Sequence, residues 1–163
     1  MTGRLAFLLA LLMLAGSAKS ESQPEHPAEC RIAEHHVERD FPLPQVDRAI
    51  AEKRLSILVL GAGSSLLPGS NGPANAYPAR LQSALAEKLP GVEVKVATDV
   101  KSKRSAAEMV KSLVRSLAAV KPALMIWQTG TVDAMQGVDP DQFSHALDNG
   151  INTARSAGAD VIF

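Results

Sequence analysis

The sequence predicts an α/β domain in which a parallel sheet carries helices on both faces, in the order βαβαβαβ. Three observations support this. The stretch Leu55–Gly69, LSILVLGAGSSLLPG, is a short apolar run that empties abruptly into glycines, serines and a Pro-Gly pair. That is the pattern of a strand buried on both faces and followed by a tight loop. Beyond it, strand-like apolar runs alternate with segments of helical period, the signature of parallel strands joined by crossover helices. Pro and Gly punctuate the junctions.

Taken in order, the chain begins with Arg4, an unbroken apolar run Leu5–Ala15 and small residues from Gly16 to Ser20. This reads as a secretory signal peptide over residues 1–20, cleaved near Ala18 or Ser20, and predicts a periplasmic or secreted protein. A membrane anchor needs roughly 20 apolar residues; no run of that length occurs, so no membrane span is expected. Residues 21–44 are polar, carry Pro24, Pro27, Pro42 and Pro44, and read as an N-terminal arm or linker. His26, His35 and His36 in this arm lack the spacing on a rigid element that a metal site requires, so they read as solvated, and neither metal nor cofactor is expected. Cys30 is the one cysteine, with Pro27-Ala28-Glu29 before it rather than a Leu-rich lipobox. In an exported chain it implies a free thiol or a partner outside this sequence. Lys and Arg number 17 against 17 Asp and Glu, a balance that argues against nucleic acid or an anionic membrane as partner and leaves the oligomeric state open.

Residues 45–163 form the predicted domain. Gln45–Arg54 reads as a short helix leading into strand one. Ligands of open parallel sheets gather beyond the carboxyl ends of the strands, which makes Ser64 and Ser65 candidate catalytic hydroxyls with Gly63 beside them. A helix follows from Tyr77, with Pro78 early and Leu81, Ala84, Leu85 and Leu89 on one face, until Pro90-Gly91 ends it. Strand two, Val92–Ala97, alternates valine with Glu93 and Lys95 and suits an outer position in the sheet. Thr98–Arg104 reads as a polar loop whose Lys101, Lys103 and Arg104 are solvated; attraction of an anionic ester is their functional alternative. Ser105 caps a helix with the apolar stripe Ala106, Met109, Val110, Leu113, Leu117 and Val120. Strand three is Ala123–Gln128, with Trp127 as a core aromatic and Gln128 its neighbour. The loop TGTVDAMQGVD leads to a helix from Pro140 with Phe143, Leu147, Ile151 and Ala154 inward, and then to strand four, Asp160–Phe163.

The segments ILVLGAGSSLLPG, YPARL, LPGVEVKV and MIWQTGT, in this order at successive strand ends, resemble the SGNH (GDSL-type) hydrolase family over Leu55–Phe163. The resemblance implies a flavodoxin-like three-layer α/β/α fold with strand order 2-1-3-4. It also implies hydrolysis of a carboxylic ester, a small-molecule or glycan ester, by acyl transfer through a serine at the end of strand one. In that family the first block, Gly-Asp-Ser-Leu, holds the nucleophile. The second supplies a Gly N–H to the oxyanion hole, the third, Gly-x-Asn-Asp, an Asn donor, and the last, Asp-x-x-His, the base. Matched as Gly63-Ser64-Ser65-Leu66, the first block makes Ser65 the nucleophile with Ser64 as alternate. Counted from Gly61 instead, Gly63 takes the nucleophile position and Ser64 is the near hydroxyl. The third block matches Gly130-Thr131-Val132-Asp133, which leaves Gly130, Thr131 and Asp133 as binding or positioning residues and puts Val132 where the family has its donor.

No glycine lies between Val100 and Arg104, and no Asp-x-x-His block is present; Asp141 and His145 are spaced as an exposed helix pair. A serine hydroxyl is a weak nucleophile without a base, and a lost oxyanion donor costs on the order of 100- to 1000-fold in rate. The expectation is an exported esterase-like chain, truncated after strand four and inactive alone, with the base and a mate for Cys30 beyond Phe163. Ser65 is expected to share a cleft with Thr131 and Asp133. Two rival readings stand. A dinucleotide site would use Gly61-Ala62-Gly63 and Asp99, but Leu66 occupies the place of its third glycine. A non-catalytic SGNH-like module that holds a carbohydrate or lipid accommodates Val132 directly.

Overall fold

A computed structural model describes residues 41–67 and 71–163. The expectations for the signal peptide, residues 21–40 of the arm, its histidines and Cys30 lie outside the described residues, as do Gly69 and the side chain of Ser64, while Pro44, read as the end of the arm, begins the first described helix. The described elements are α1 (Pro44–Ala51), β1 (Arg54–Gly61), a 3-10 turn (Gly63–Ser65), α2 (Gly72–Asn75), α3 (Tyr77–Lys88), β2 (Glu93–Val100), α4 (Ala106–Val120), β3 (Leu124–Trp127), α5 (Thr131–Met135), α6 (Pro140–Ser156) and β4 (Asp160–Ile162). The sheet order is β2-β1-β3-β4, and every pairing is parallel, as the sequence predicts. None of the described helices is long and apolar enough to cross a membrane.

Side chains of a strand alternate between faces, and here the alternation divides one apolar run between two cores. Leu58 and Leu60 of β1 join Met125 and Trp127 of β3 beneath α4 and α6. Leu55 and Ile57 join Leu124 on the opposite face, against Ala49 of α1 and Leu85 and Leu89 of α3. Only a central strand needs apolar residues on both faces, which is why β1 reads as unbroken.

The inner face of α4 is the stripe read from sequence, with Ala106, Met109, Leu113 and Leu117 buried. Its start is a capping box: the Ser105 hydroxyl accepts from the Glu108 N–H, and the Glu108 carboxylate accepts from the Ser105 N–H at 2.9 Å. The inner face of α6 is centred on small residues, Ala146, Gly150 and Ala154, with Phe143, Leu147 and Ile151 partly buried beside them. The cause is Trp127: a Cβ on Gly150 would lie 2.3 Å from the indole Cζ3. The indole N–H points to Met109 Sδ at 3.1 Å, and its ring stacks on Phe163 with centroids 5.6 Å apart.

The boundaries differ from the sequence reading in instructive places. β2 runs to Val100 rather than ending at Ala97, because its ladder with β1 continues through Gly61↔Val100; polar Thr98 and Asp99 are paired strand residues. Arg54 belongs to β1 rather than to the preceding helix. Ala84 of α3 is exposed. The loop after β3 contains α5, and α2 is a single turn with no apolar period to announce it. The N-terminal turn of α1 is fixed from far along the chain: the N–H groups of Gln45 and Val46 donate to Asp160 Oδ2 at 2.8 and 3.0 Å.

Candidate functional site

β1 delivers its chain to the carboxyl edge of the sheet, where Ala62 leads into the 3-10 turn. The turn is closed by Ser65 N–H to Ala62 O at 3.1 Å and Leu66 N–H to Gly63 O at 3.0 Å. Ser65, the last residue of the turn, is 1% exposed. Its hydroxyl donates to Gln128 Oε1, and Gln128 is held alongside by its own N–H to Leu60 O at 2.9 Å. Gly61 makes this arrangement possible, since a Cβ there would lie 2.6 Å from Ser65 Oγ. The Tyr77 phenol also meets Ser65: burial raises its pKa above the ordinary value, and hydrogen bonding with Ser65 lowers it in part. Tyr77 is therefore protonated at neutral pH. Ser65 lines a cleft of about 340 Å³ together with Leu66, Ala76, Pro78, Val96 and Thr98, between β2 and α3.

The third-block residues lie elsewhere on the same edge. Gly130, at φ +96°, makes the reversal from β3 into α5 in a conformation that favours glycine. Gly130, Thr131 and Val132 line a hole of about 10 Å³ with Ala62 and Arg104. Asp133 is 4% exposed, and both its carboxylate oxygens accept the Ala106 N–H, at 2.9 and 3.1 Å. Ser65 and Thr131, expected to share a cleft with Asp133, line separate cavities, and the Asp133 carboxylate is turned to the start of α4. The first turn of α4 leaves backbone N–H groups unpaired, and Asp133 satisfies one while its charge complements the helix dipole.

Arg104, read from sequence as a solvated rim residue, is 9% exposed. Its guanidinium pairs with Asp99 Oδ1 at 3.0 Å, donates to Gly61 O at 3.2 Å and to Ser112 Oγ at 3.1 Å, and also reaches the carbonyl of Asp99. Ser112 and Ser116 donate to Asp99 Oδ2 at 2.9 and 2.7 Å. Burial raises the Asp99 pKa, but those two hydroxyls and the Arg104 charge more than offset it, so the carboxyl stays below its ordinary value. Asp99 is therefore committed inside the protein and cannot serve the ribose of the dinucleotide reading. The signal that was there to find is Ser112 and Ser116, one turn apart on the helix and each beside a buried leucine of its inner face. Lys101 and Lys103 are exposed as expected.

In the alternative register, the atoms nearest a Cβ on Gly63 belong to Ser102, with Oγ at 3.2 Å. His145 is exposed on α6, and among the described residues no histidine or carboxylate hydrogen-bonds Ser65. No cluster of three or more His, Cys, Asp or Glu suited to a metal occurs among the described residues.

The parallel 2-1-3-4 sheet with a serine turn at the carboxyl end of its central strand fits the SGNH-like hydrolase class, and comparison with known proteins supports that class. TesA is 30% identical, with a TM-score of 0.59 over 64% of this chain and 57% of that one. The SGNH-hydrolase family esterase AlinE4 is 20% identical, with a TM-score of 0.58 over 66% and 57%. The psychrotrophic esterase EstA from Pseudoalteromonas sp. is 16% identical, with a TM-score of 0.56 over 64% and 56%. The chain thus spans between half and three-fifths of the length of these solved structures. The model of the Non-GDSL lipase-like family matches residues 29–163, and the chain belongs to that family. No curated protein matches the sequence.

Proposed function

We propose that this protein is an exported esterase-type hydrolase that engages a carboxylic ester in the cleft floored by Ser65, with Ser65 as the acyl-accepting hydroxyl. The observation that carries the reading is the position of Ser65, at the carboxyl end of the central strand and in the lining of a cleft of about 340 Å³. Gln128 orients the hydroxyl, and the protonated Tyr77 beside it is a donor toward an ester oxygen. Export rests on the N-terminal signal pattern.

One observation favours a second reading, a binding module without turnover. The acceptor on Ser65 is an amide oxygen, which takes a hydrogen bond but is not a base. Hydrolysis of p-nitrophenyl acetate by the purified chain and by Ser65→Ala and Ser64→Ala separates the two. Turnover abolished by Ser65→Ala supports the esterase reading, and turnover that survives both substitutions overturns it. Saturable ester binding without turnover, by this chain and by a longer reading frame alike, favours the module.

A further inference from the structure

We propose that Arg104 is a positioning residue of this site: through its bond to the Gly61 carbonyl it sets the backbone from which the Ser65 turn departs. The proposal rests on the functional reading above and extends it to a residue that the sequence reads as a solvated rim charge. A buried ion pair alone would say little, because desolvation offsets much of its attraction. What distinguishes this one is where the remaining guanidinium donors go. One reaches the carbonyl of Gly61, the last residue of β1. Another reaches the carbonyl of Asp99, next to the last residue of β2. Arg104 also lines the small hole beneath Gly130, Thr131 and Val132, the residues that follow β3. Its Nε has no protein partner, and neither does the Thr129 hydroxyl that lines the same hole. The three loops at the carboxyl edge therefore meet at one side chain.

Gly61 is constrained twice. It must lack a Cβ to admit Ser65 Oγ at 2.6 Å, and its carbonyl is held by both Arg104 and the Lys101 N–H, the latter at 3.3 Å. Rotation of that peptide would carry Ser65 away from Gln128, and a displacement of about 1 Å at a reacting group can cost roughly 100-fold in rate. Lysine cannot replace this function, since a single ammonium lacks the planar fork that serves Asp99 and Gly61 together. The loop that lacks the family's second-block glycine is thus the loop that ends on Arg104.

The test compares Arg104→Lys, which keeps the charge beside Asp99, with Ser112→Ala, which weakens the pair and leaves the Gly61 bond. Hydrogen exchange of the Ser65 and Leu66 amides is read against that of the α6 amides. Arg104→Lys should speed exchange in the turn roughly 10-fold or more while α6 is unchanged, whereas Ser112→Ala should not do so. In p-nitrophenyl acetate hydrolysis, Arg104→Lys should lower kcat with KM little changed. Turn exchange that stays in step with α6 in Arg104→Lys would overturn the proposal. Because exchange is read without substrate, absence of esterase activity would defeat the functional reading alone. Arg104→Ala is the harsher variant, and should it fail to fold, Arg104→Lys decides.

Discussion

The carboxyl edge of the sheet has two sides built on different terms. Between β2 and α3, the buried Ser65 lines a cleft with Leu66, Ala76, Pro78 and Val96, with a neutral amide and a phenol as its partners. Between β2, α4 and α5, the buried or half-buried charged groups are committed: Arg104 to Asp99 and Gly61, and Asp133 to the start of α4. Arg104 and Asp133, read from sequence as a solvated rim charge and a binding or positioning residue, are thus the ones that build the edge. Ser65, which the family match prefers over Ser64, is the serine that lines the cleft.

This contrast sets an order of expected effects. The largest is Arg104→Ala, which strands Asp99 without its partner and should cost about 3 kcal/mol. Urea unfolding followed by the fluorescence of Trp127, the single tryptophan, measures it. A loss below about 1 kcal/mol would erase the distinction between the two sides. Next is Gly150→Ala, whose methyl would drive into the Trp127 ring at 2.3 Å; about 2 kcal/mol of stability should be lost, with a shifted Trp emission maximum. Ser105→Ala removes the hydroxyl half of the capping box and should cost about 1 kcal/mol, readable as a lower thermal midpoint.

The committed side should also be the acid-sensitive one. Asp99 and Glu108 have folded pKa values below their ordinary 3.8 and 4.5. For Asp99 the hydroxyls of Ser116 and Ser112 and the Arg104 charge overcome burial; for Glu108 the Ser105 backbone N–H is the main cause. A depressed carboxyl contributes stability that is fully present above its unfolded value and is lost as pH falls through the folded value. Urea midpoints should therefore be level near neutrality and drop below about pH 4, and the drop should be shallower in Arg104→Ala. Smallest of all is Ser65→Ala, expected to change stability by less than about 1 kcal/mol because it leaves only an exposed amide without its donor. Any large effect of that substitution should appear in ester turnover or binding.

Much of the fold could be read from sequence because its signals are local. The apolar run of β1, the 3.6-residue stripe of α4, and the Pro and Gly stops are written in consecutive residues, and handedness fixes the crossovers. Three features escaped for physical reasons. Asp99 and Arg104 look like loop charges until β2 and α4 are brought together, since nothing within five residues reveals that the pair is buried. Gly150 looks like a helix weakness, and its purpose exists only opposite Trp127. Gln128 reads as the polar end of a strand, and only the 3-10 turn of β1 makes it the partner of Ser65. The reverse also holds for Asp133, whose place in a family block suggested the site, whereas its carboxylate caps a helix.

The bond from Asp160 to the first turn of α1 joins residues 115 and 114 positions apart. Contacts of such long sequence separation form late, because most of the chain must be ordered before they close. On the ribosome, α1 emerges ahead of every described strand, yet its anchoring carboxylate arrives only with β4. The N-terminal turn of the first described helix is therefore fastened only once β4 is in place.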